Sequence, residues 1–289
     1  MIDDPRKAHR LAVLLFIGQV SLTSVFQAVV KGLAADLPAA EILFFRCLFG
    51  LVALAPVLWW RTGVVLPASR DLVAHLLRGL TALVAILANF TALALLPLAM
   101  STVLDFTVPI FLALAGPLAG ERLGAMGWWW VLVGFAGCVV LAAPDGSPVA
   151  VTGLMAGLVA SALGALCAVQ LRRLPPEDGT AKAVLSLTAV SMAGSGLALP
   201  AVWVTPTMGA WAGLALLGVL GTIMQLAATR AFLLAPPSLI APLDYLRLPL
   251  AVAIGFAVWG DVPDLHRLAG AALIVAGSFG VLRMGWTKG

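Results

Sequence analysis

The chain reads as a succession of apolar runs about 18 to 22 residues long, separated by short segments such as "LLPLAMS", "AAPDGSPVAV", "LPPEDGT", "VTPTMG" and "LAPPSL". A helix rises 1.5 Å per residue, so one such run crosses roughly 30 Å of hydrocarbon, whereas strands of a membrane barrel alternate over about ten residues. Ten helical spans are predicted, near Leu11–Val30, Ile42–Trp60, Ala74–Leu95, Met100–Gly120, Met126–Ala143, Gly153–Leu171, Ala183–Val204, Trp211–Leu233, Leu239–Trp259 and Leu268–Leu282. The links leave no room for a separate soluble domain.

Composition agrees with that pattern. The 289 residues are 62% hydrophobic and 10% charged, with a mean hydropathy of +1.08, outside the range of soluble domains. The predicted class is an all-α integral membrane protein. Arg6, Lys7 and Arg10 precede the first apolar run in the manner of a signal peptide. That run is as long as the others and has no evident small-x-small cleavage site, so it is expected to be the first helix.

The basic residues fix an expected orientation. Arg6, Lys7 and Arg10, then Arg61 and Arg70, Arg122, Arg172, Arg173 and Lys182, and finally Arg283 and Lys288 all fall on one side of a ten-span chain. By the positive-inside rule that side is cytoplasmic, and both termini with it. The opposite side carries only Lys31 and Arg267, the latter outweighed by Asp261 and Asp264.

Five spans per half matter because an odd number inverts the second copy. The stretch "LANFTALALLPLAMSTVLDFTVP" aligns with "LAATRAFLLAPPSLIAPLDYLRLP", pairing Pro97 with Pro236 and Asp105 with Asp244, 139 positions apart in each case. A shift of one residue pairs Pro109 with Pro249 and Gly137 with Gly277. Residues 1–145 and 146–289 are therefore expected to be two inverted five-helix repeats. Such halves enclose a site near the membrane midplane and open it to either side by rocking, which is the architecture of a transporter.

Two five-helix halves, the "LPAAEILFFRCLFG" start of the second span, the "LLPLAMSTVL" link and its counterpart "LLAPPSLIAPLDY" resemble the EamA-type members of the drug/metabolite transporter superfamily. The resemblance covers essentially the whole chain, through patterns of small and apolar residues. It implies a bacterial inner-membrane secondary transporter, usually an exporter of amino acids or related metabolites. It also implies a central cavity formed by helices 1, 3, 4, 6, 8 and 9.

Polar side chains inside the spans are the candidate cavity residues, because each is costly in hydrocarbon unless it meets a partner or water. Gln19, Thr23 and Gln27 form a stripe at a spacing of four on the first helix. Thr81 and Asn89 share a face of the third helix, and Thr222, Gln225 and Thr229 occupy the repeat position in the eighth. Each stripe either lines a cavity or bonds helices together. Arg78 and Arg230 are close enough to the cytoplasmic interface to snorkel there, or to serve as a gate. Arg46 is expected near the outer surface, paired with a carbonyl or with Glu41.

Asp105 with Phe106 in the fourth helix, and Asp244 with Tyr245 and Arg247 in the ninth, are the strongest candidates. Arg247 lies one turn beyond Asp244 and is expected to reach back to it. That pair either holds a helix in register or offers a carboxylate to a substrate amine or proton and a guanidinium to a substrate carboxylate. Pro109 and Pro249 free carbonyls about one turn earlier and are expected to bend both helices around the site.

Other features need no function. Cys47, Cys138, Cys167, His9, His75 and His266 show no metal, disulfide or catalytic spacing and are expected as packed thiols and interfacial histidines. Trp59, Trp60, Trp128, Trp129, Trp130, Trp203 and Trp211 read as an interfacial belt, and the small residues of "GLMAG" and "AGPLAG" as helix-packing surfaces. A pI of about 9.3 follows from the oriented loops and needs no nucleic-acid partner. No nucleotide-binding loop, H-E-x-x-H motif or nucleophile with a base is present, so neither an ATP-driven pump nor an enzyme is expected, and no cofactor or metal. The expected protein is a monomeric carrier in a lipid bilayer. It exports amino acids or related small metabolites by alternating access or, alternatively, imports a larger nucleotide-derived or vitamin-like metabolite.

Overall fold

A computed structural model describes residues 5–61, 72–115, 121–122, 125–142, 148–172, 179–234, 244, 246–262, 264–284 and 287–288. Its helices are α1 (Pro5–Leu33), α2 (Ala39–Arg61), α3 (Leu72–Leu95), α4 (Leu98–Asp105), α5 (Val108–Ala115), α6 (Ala125–Ala142), α7 (Pro148–Arg172), α8 (Gly179–Val202), α9 (Met208–Leu234), α10 (Arg247–Trp259) and α11 (Leu265–Met284). Two-residue strands β1 (Glu121–Arg122) and β2 (Thr287–Lys288) pair antiparallel and tie the link after α5 to the C-terminal tail. Helices fall in all ten expected spans, with the fourth divided into α4 and α5 and the ninth described as a helix from Arg247.

That division corrects the expected single helix over Met100–Gly120, and its cause is local. Pro109 has no N–H for the Asp105 carbonyl, so the helical ladder cannot continue through this turn. The chain tightens instead, with Phe106 N–H donating to Val103 O at 3.0 Å and Thr107 N–H to Leu104 O at 3.0 Å. The Leu104 carbonyl also accepts from the Thr107 hydroxyl at 2.7 Å and from the Ser161 hydroxyl of α7 at 2.8 Å. A backbone break at membrane depth is tolerated only where its polar groups are satisfied inside the protein, and here two hydroxyls do so. In the second half α10 likewise begins only at Arg247, just before Pro249, with Asp244 and Leu246 in short 3₁₀ geometry ahead of it.

Helix packing respects the two halves. Exchanging α1 with α7, α2 with α8, α3 with α9, α4 and α5 with α10, and α6 with α11 maps the main contacts onto one another. The pair α3–α7 answers α1–α9, α2–α9 answers α3–α8, and α7 with α4 and α5 answers α1–α10, while α6–α11, α2–α8 and α4–α10 map onto themselves. Within lipid the hydrophobic effect does not join helices, so close contact through small residues must.

Two glycine sites show the symmetry at atomic level. A Cβ on Gly137 would lie 2.7 Å from Ile274 N and 2.8 Å from Gly270 O, and one on Gly277 would lie 2.6 Å from Gly134 N and 2.8 Å from Trp130 O. Residues 270 and 274 are 140 positions after 130 and 134, the same offset that separates the two glycines. The α6–α11 crossing is thus one contact made twice.

The largest buried cluster gathers Phe26, Leu43, Phe90, Leu93, Leu214 and Leu217 from α1, α2, α3 and α9, with Ala251 of α10. Helix α10 ends at Gly260, whose φ of 70° allows Gly260 N–H to bond Phe256 O and Asp261 N–H to bond Gly255 O. Gly153 and Gly157 of "GLMAG" let α7 approach Leu96 and Leu104, as expected. "AGPLAG" is outside the described residues beyond Ala115.

Candidate functional site

Four elements converge on Asp105, the last residue of α4. Its Oδ2 accepts from Arg247 Nη2 at 2.6 Å and from Gln27 Nε2 at 2.8 Å, and its Oδ1 accepts from Asn89 Nδ2 at 3.0 Å. An ionised carboxylate only accepts, so both amides must turn their NH₂ groups toward it. The Gln27 carbonyl then faces the Thr102 hydroxyl at 3.2 Å, and that hydroxyl also bonds Leu98 O at 2.9 Å. Thr102 is fully buried, one turn before Asp105 on the same face of α4.

The expected Arg247–Asp244 pair exists, but it is the weaker of two. Arg247 Nη1 lies 3.4 Å from Asp244 Oδ2, whereas the pair with Asp105 across the two halves is at 2.6 Å. The side chains of Arg247 and Asp105 are 12% and 19% exposed, and that of Asp244 is 37% exposed. The guanidinium sits 5.8 Å from the centroid of the buried Phe106 ring, and its Nε has no hydrogen-bond partner among the described residues. Summed over Asp105, Asp244 and Arg247, the cluster carries one net negative charge. It has one filled carboxylate and one half-open carboxylate.

The other candidates serve helix contacts in this structure. Gln19 donates to the Thr23 hydroxyl at 2.9 Å, which itself bonds Gln19 O, so only Gln27 of that stripe joins the cluster. Thr81 accepts from Gln170 Nε2 at 3.1 Å, linking α3 to α7. Thr222 bonds Gly50 O at 3.2 Å, linking α9 to α2. The side chains of Gln225, Thr229, Arg230 and Tyr245 lie outside the described residues, as does Pro236.

Three expectations about interfacial residues change. Arg78 is buried, with its backbone carbonyl 3.9 Å from Cys167 Sγ, where snorkelling would leave it exposed. Arg46 stacks over the Phe26 ring at 5.3 Å, and Glu41 instead accepts from the Val204 N–H at 3.1 Å. His75 is buried with Nδ1 2.8 Å from the Ser186 hydroxyl. Trp128, Trp129 and Trp203 are exposed as a belt requires, while Trp211 packs edge-on against Phe45 at 4.7 Å. Cys47 and Cys138 are buried and all three cysteines are free. Among the described residues no cluster of metal-ligating side chains occurs.

Thr102 and Ser161 escaped the sequence reading. Thr102 is signalled by its position three residues before Asp105, but nothing local marks Ser161, which reaches Leu104 from another helix. A separate cavity of about 280 Å³ lies behind the α4–α10 crossing, walled by Met100, Val103, Leu248, Val252, Leu268 and Ala271. These residues come from α4, α10 and α11, and none of them belongs to the charged cluster.

Comparison with known proteins places this geometry. The model of the EamA-like transporter family matches residues 10–143. The pseudopaline exporter CntI of Pseudomonas aeruginosa is 31% identical, with 94% of this chain and 95% of that protein covered. The S-adenosylmethionine uptake transporter of Rickettsia bellii is 26% identical over 95% of this chain and 94% of its own. The riboflavin transporter of Rhizobium johnstonii is 29% identical over 85% and 82%. A solved crystal structure superposes with a TM-score of 0.64 at 22% identity, covering 94% of this chain and 96% of that one, a likeness of fold alone. With its pseudo-symmetric bundle and broken fourth span, the chain belongs to the EamA-type drug/metabolite transporters and is a multi-pass secondary transporter of the bacterial inner membrane working by alternating access.

Proposed function

We propose that this chain carries a polar metabolite larger than a single amino acid, bearing a cationic group, and binds it at Asp105, Asp244 and Arg247. The observation that supports this reading is the charge balance of the cluster. Two carboxylates against one guanidinium leave room for one more positive charge, and Asp244 is the carboxylate open enough to receive it. Gln27, Asn89 and Thr102 hold Asp105 in place while the ligand exchanges.

The relatives favour this reading over amino-acid export, since those compared are named for pseudopaline, S-adenosylmethionine and riboflavin. S-adenosylmethionine carries both cationic centres and a carboxylate, which the cluster complements. Direction differs among these relatives, so the direction of net flow is read from the assay. Residues 1–145 and 146–289 act as the two rocking halves, with Asp105 and Arg247 on opposite sides of the boundary. The basic links put both termini in the cytoplasm. One chain contains the whole cluster, which supports a monomeric unit.

Counterflow in proteoliposomes tests the proposal with labelled S-adenosylmethionine, riboflavin and a panel of single amino acids. Exchange of a larger cationic metabolite, abolished by Asp105→Asn, is the expected result. Exchange of single amino acids without any larger metabolite would overturn it.

A further inference from the structure

We propose that Lys31 is the latch of the gate at the end of the bundle remote from the chain termini, holding the described closed arrangement by joining α1 to the α3–α4 link and to the end of α10. The inference rests on the transport role proposed above, and its test reads distances, so that the two can fail separately.

The sequence creates the latch site. Within a helix the Leu93 carbonyl would accept from residue 97, but that residue is Pro97 and has no N–H. Helix α3 therefore ends with orphan carbonyls in a region where water is scarce. Lys31 Nζ fills this gap, donating to Leu96 O at 2.6 Å and lying 3.5 Å from Leu93 O. A cation at a helix C-terminus also meets the negative end of the helix dipole. The same ammonium sits 5.4 Å from the centroid of the Trp259 ring, the last residue of α10, and Asp261 just beyond it is within electrostatic reach.

Position ties this contact to the substrate cluster. Lys31 is one helical turn beyond Gln27 on α1, so the residue that bonds Asp105 and the residue that bonds the link share one face. Helices α1 and α10, together with α3 and α4 on either side of the link, also supply Gln27, Arg247, Asn89 and Asp105. The α1–α3 contact it closes is reinforced by Phe26 against Phe90 at 6.5 Å. Opening that end moves α1 away from α3 and α10, and every such movement breaks the Lys31 bonds.

Spin labels at Ala35 and Val262, both exposed at this end, report its opening by pulsed dipolar spectroscopy in nanodiscs, on a background lacking the three native cysteines. Lys31→Met is expected to move the closed-to-open ratio about tenfold toward the longer distance, the size of one lost charged hydrogen bond. Lys31→Arg, which keeps the charge and donors, is expected to keep the parental distribution. An unchanged distribution in Lys31→Met at an unchanged melting temperature, or equal widening in both variants, overturns the proposal. Should Lys31→Met not fold, Trp259→Leu leaves the carbonyl bonds intact and is expected to give a smaller widening, and no widening there overturns the proposal equally.

Discussion

The guanidinium of Arg247 is nearer to Asp105, 142 positions away along the chain, than to Asp244, three positions away. The contact to Asp105 crosses between the halves, while the contact to Asp244 stays within one. A turn of helix can bring residues three apart only side by side, and the 3.4 Å separation leaves Asp244 half-open. On the transport reading proposed above, the tight pair is the one that rocking of the halves would alter, and the loose one is the one a ligand would replace.

Removing the charge of Asp105 leaves Arg247 buried with only its weaker partner. Asp105→Asn is expected to cost about 3 to 5 kcal/mol of stability, the usual effect of breaking a buried pair. Thermal melting in detergent measures this. The double variant Asp105→Asn with Arg247→Met removes both charges and is expected to recover most of that stability without recovering transport. Recovery of transport as well would mean that the pair only holds helices.

Asp244 predicts the opposite balance. Its side chain is 37% exposed and its ion pair long, so Asp244→Asn is expected to change stability by about 1 kcal/mol or less. The loss should fall on binding, with KM for a cationic substrate rising about tenfold. Initial rates against substrate concentration in vesicles separate the two effects.

The doubled α6–α11 contact makes a prediction about symmetry. Gly137→Leu and Gly277→Leu each force a side chain into backbone of the facing helix and are expected to destabilise by similar amounts, about 1 to 3 kcal/mol or more. Gly18→Leu, where a Cβ meets nothing within 4 Å, is expected to be nearly neutral. Size-exclusion profiles and melting temperatures of the three variants check the pattern.

At the break in the fourth span, Ser161→Ala removes one of two hydroxyls that satisfy the Leu104 carbonyl. Thr107 still covers it, so a cost of about 1 kcal/mol is expected. Ser161→Ala combined with Thr107→Val should cost more than the sum of the single changes, because the carbonyl is then left to Thr107 N–H alone. A double-mutant cycle on melting temperature tests the coupling.

Much of this was legible in the chain. Run length and hydropathy determine ten spans, and an odd number per half determines the inversion, because both follow from bilayer thickness and chain direction alone. Asp105, Asp244, Arg247, Gln27 and Asn89 stand out because a polar group in hydrocarbon needs a partner. Helical spacing placed Gln19 and Thr23 with Gln27, yet periodicity gives a face and not the neighbour opposite it. Only the packed bundle decides that Gln27 meets a carboxylate while Gln19 and Thr23 satisfy each other, and that Thr81 and Thr222 bond neighbouring helices. It likewise decides that Arg247 takes Asp105 before Asp244, and that Lys31, read in the sequence only as a stray charge outside, bonds the carbonyls Pro97 leaves open. Sequence counts which groups need partners. Which partner each receives depends on distances between helices far apart in the chain, and only the tertiary fold sets those.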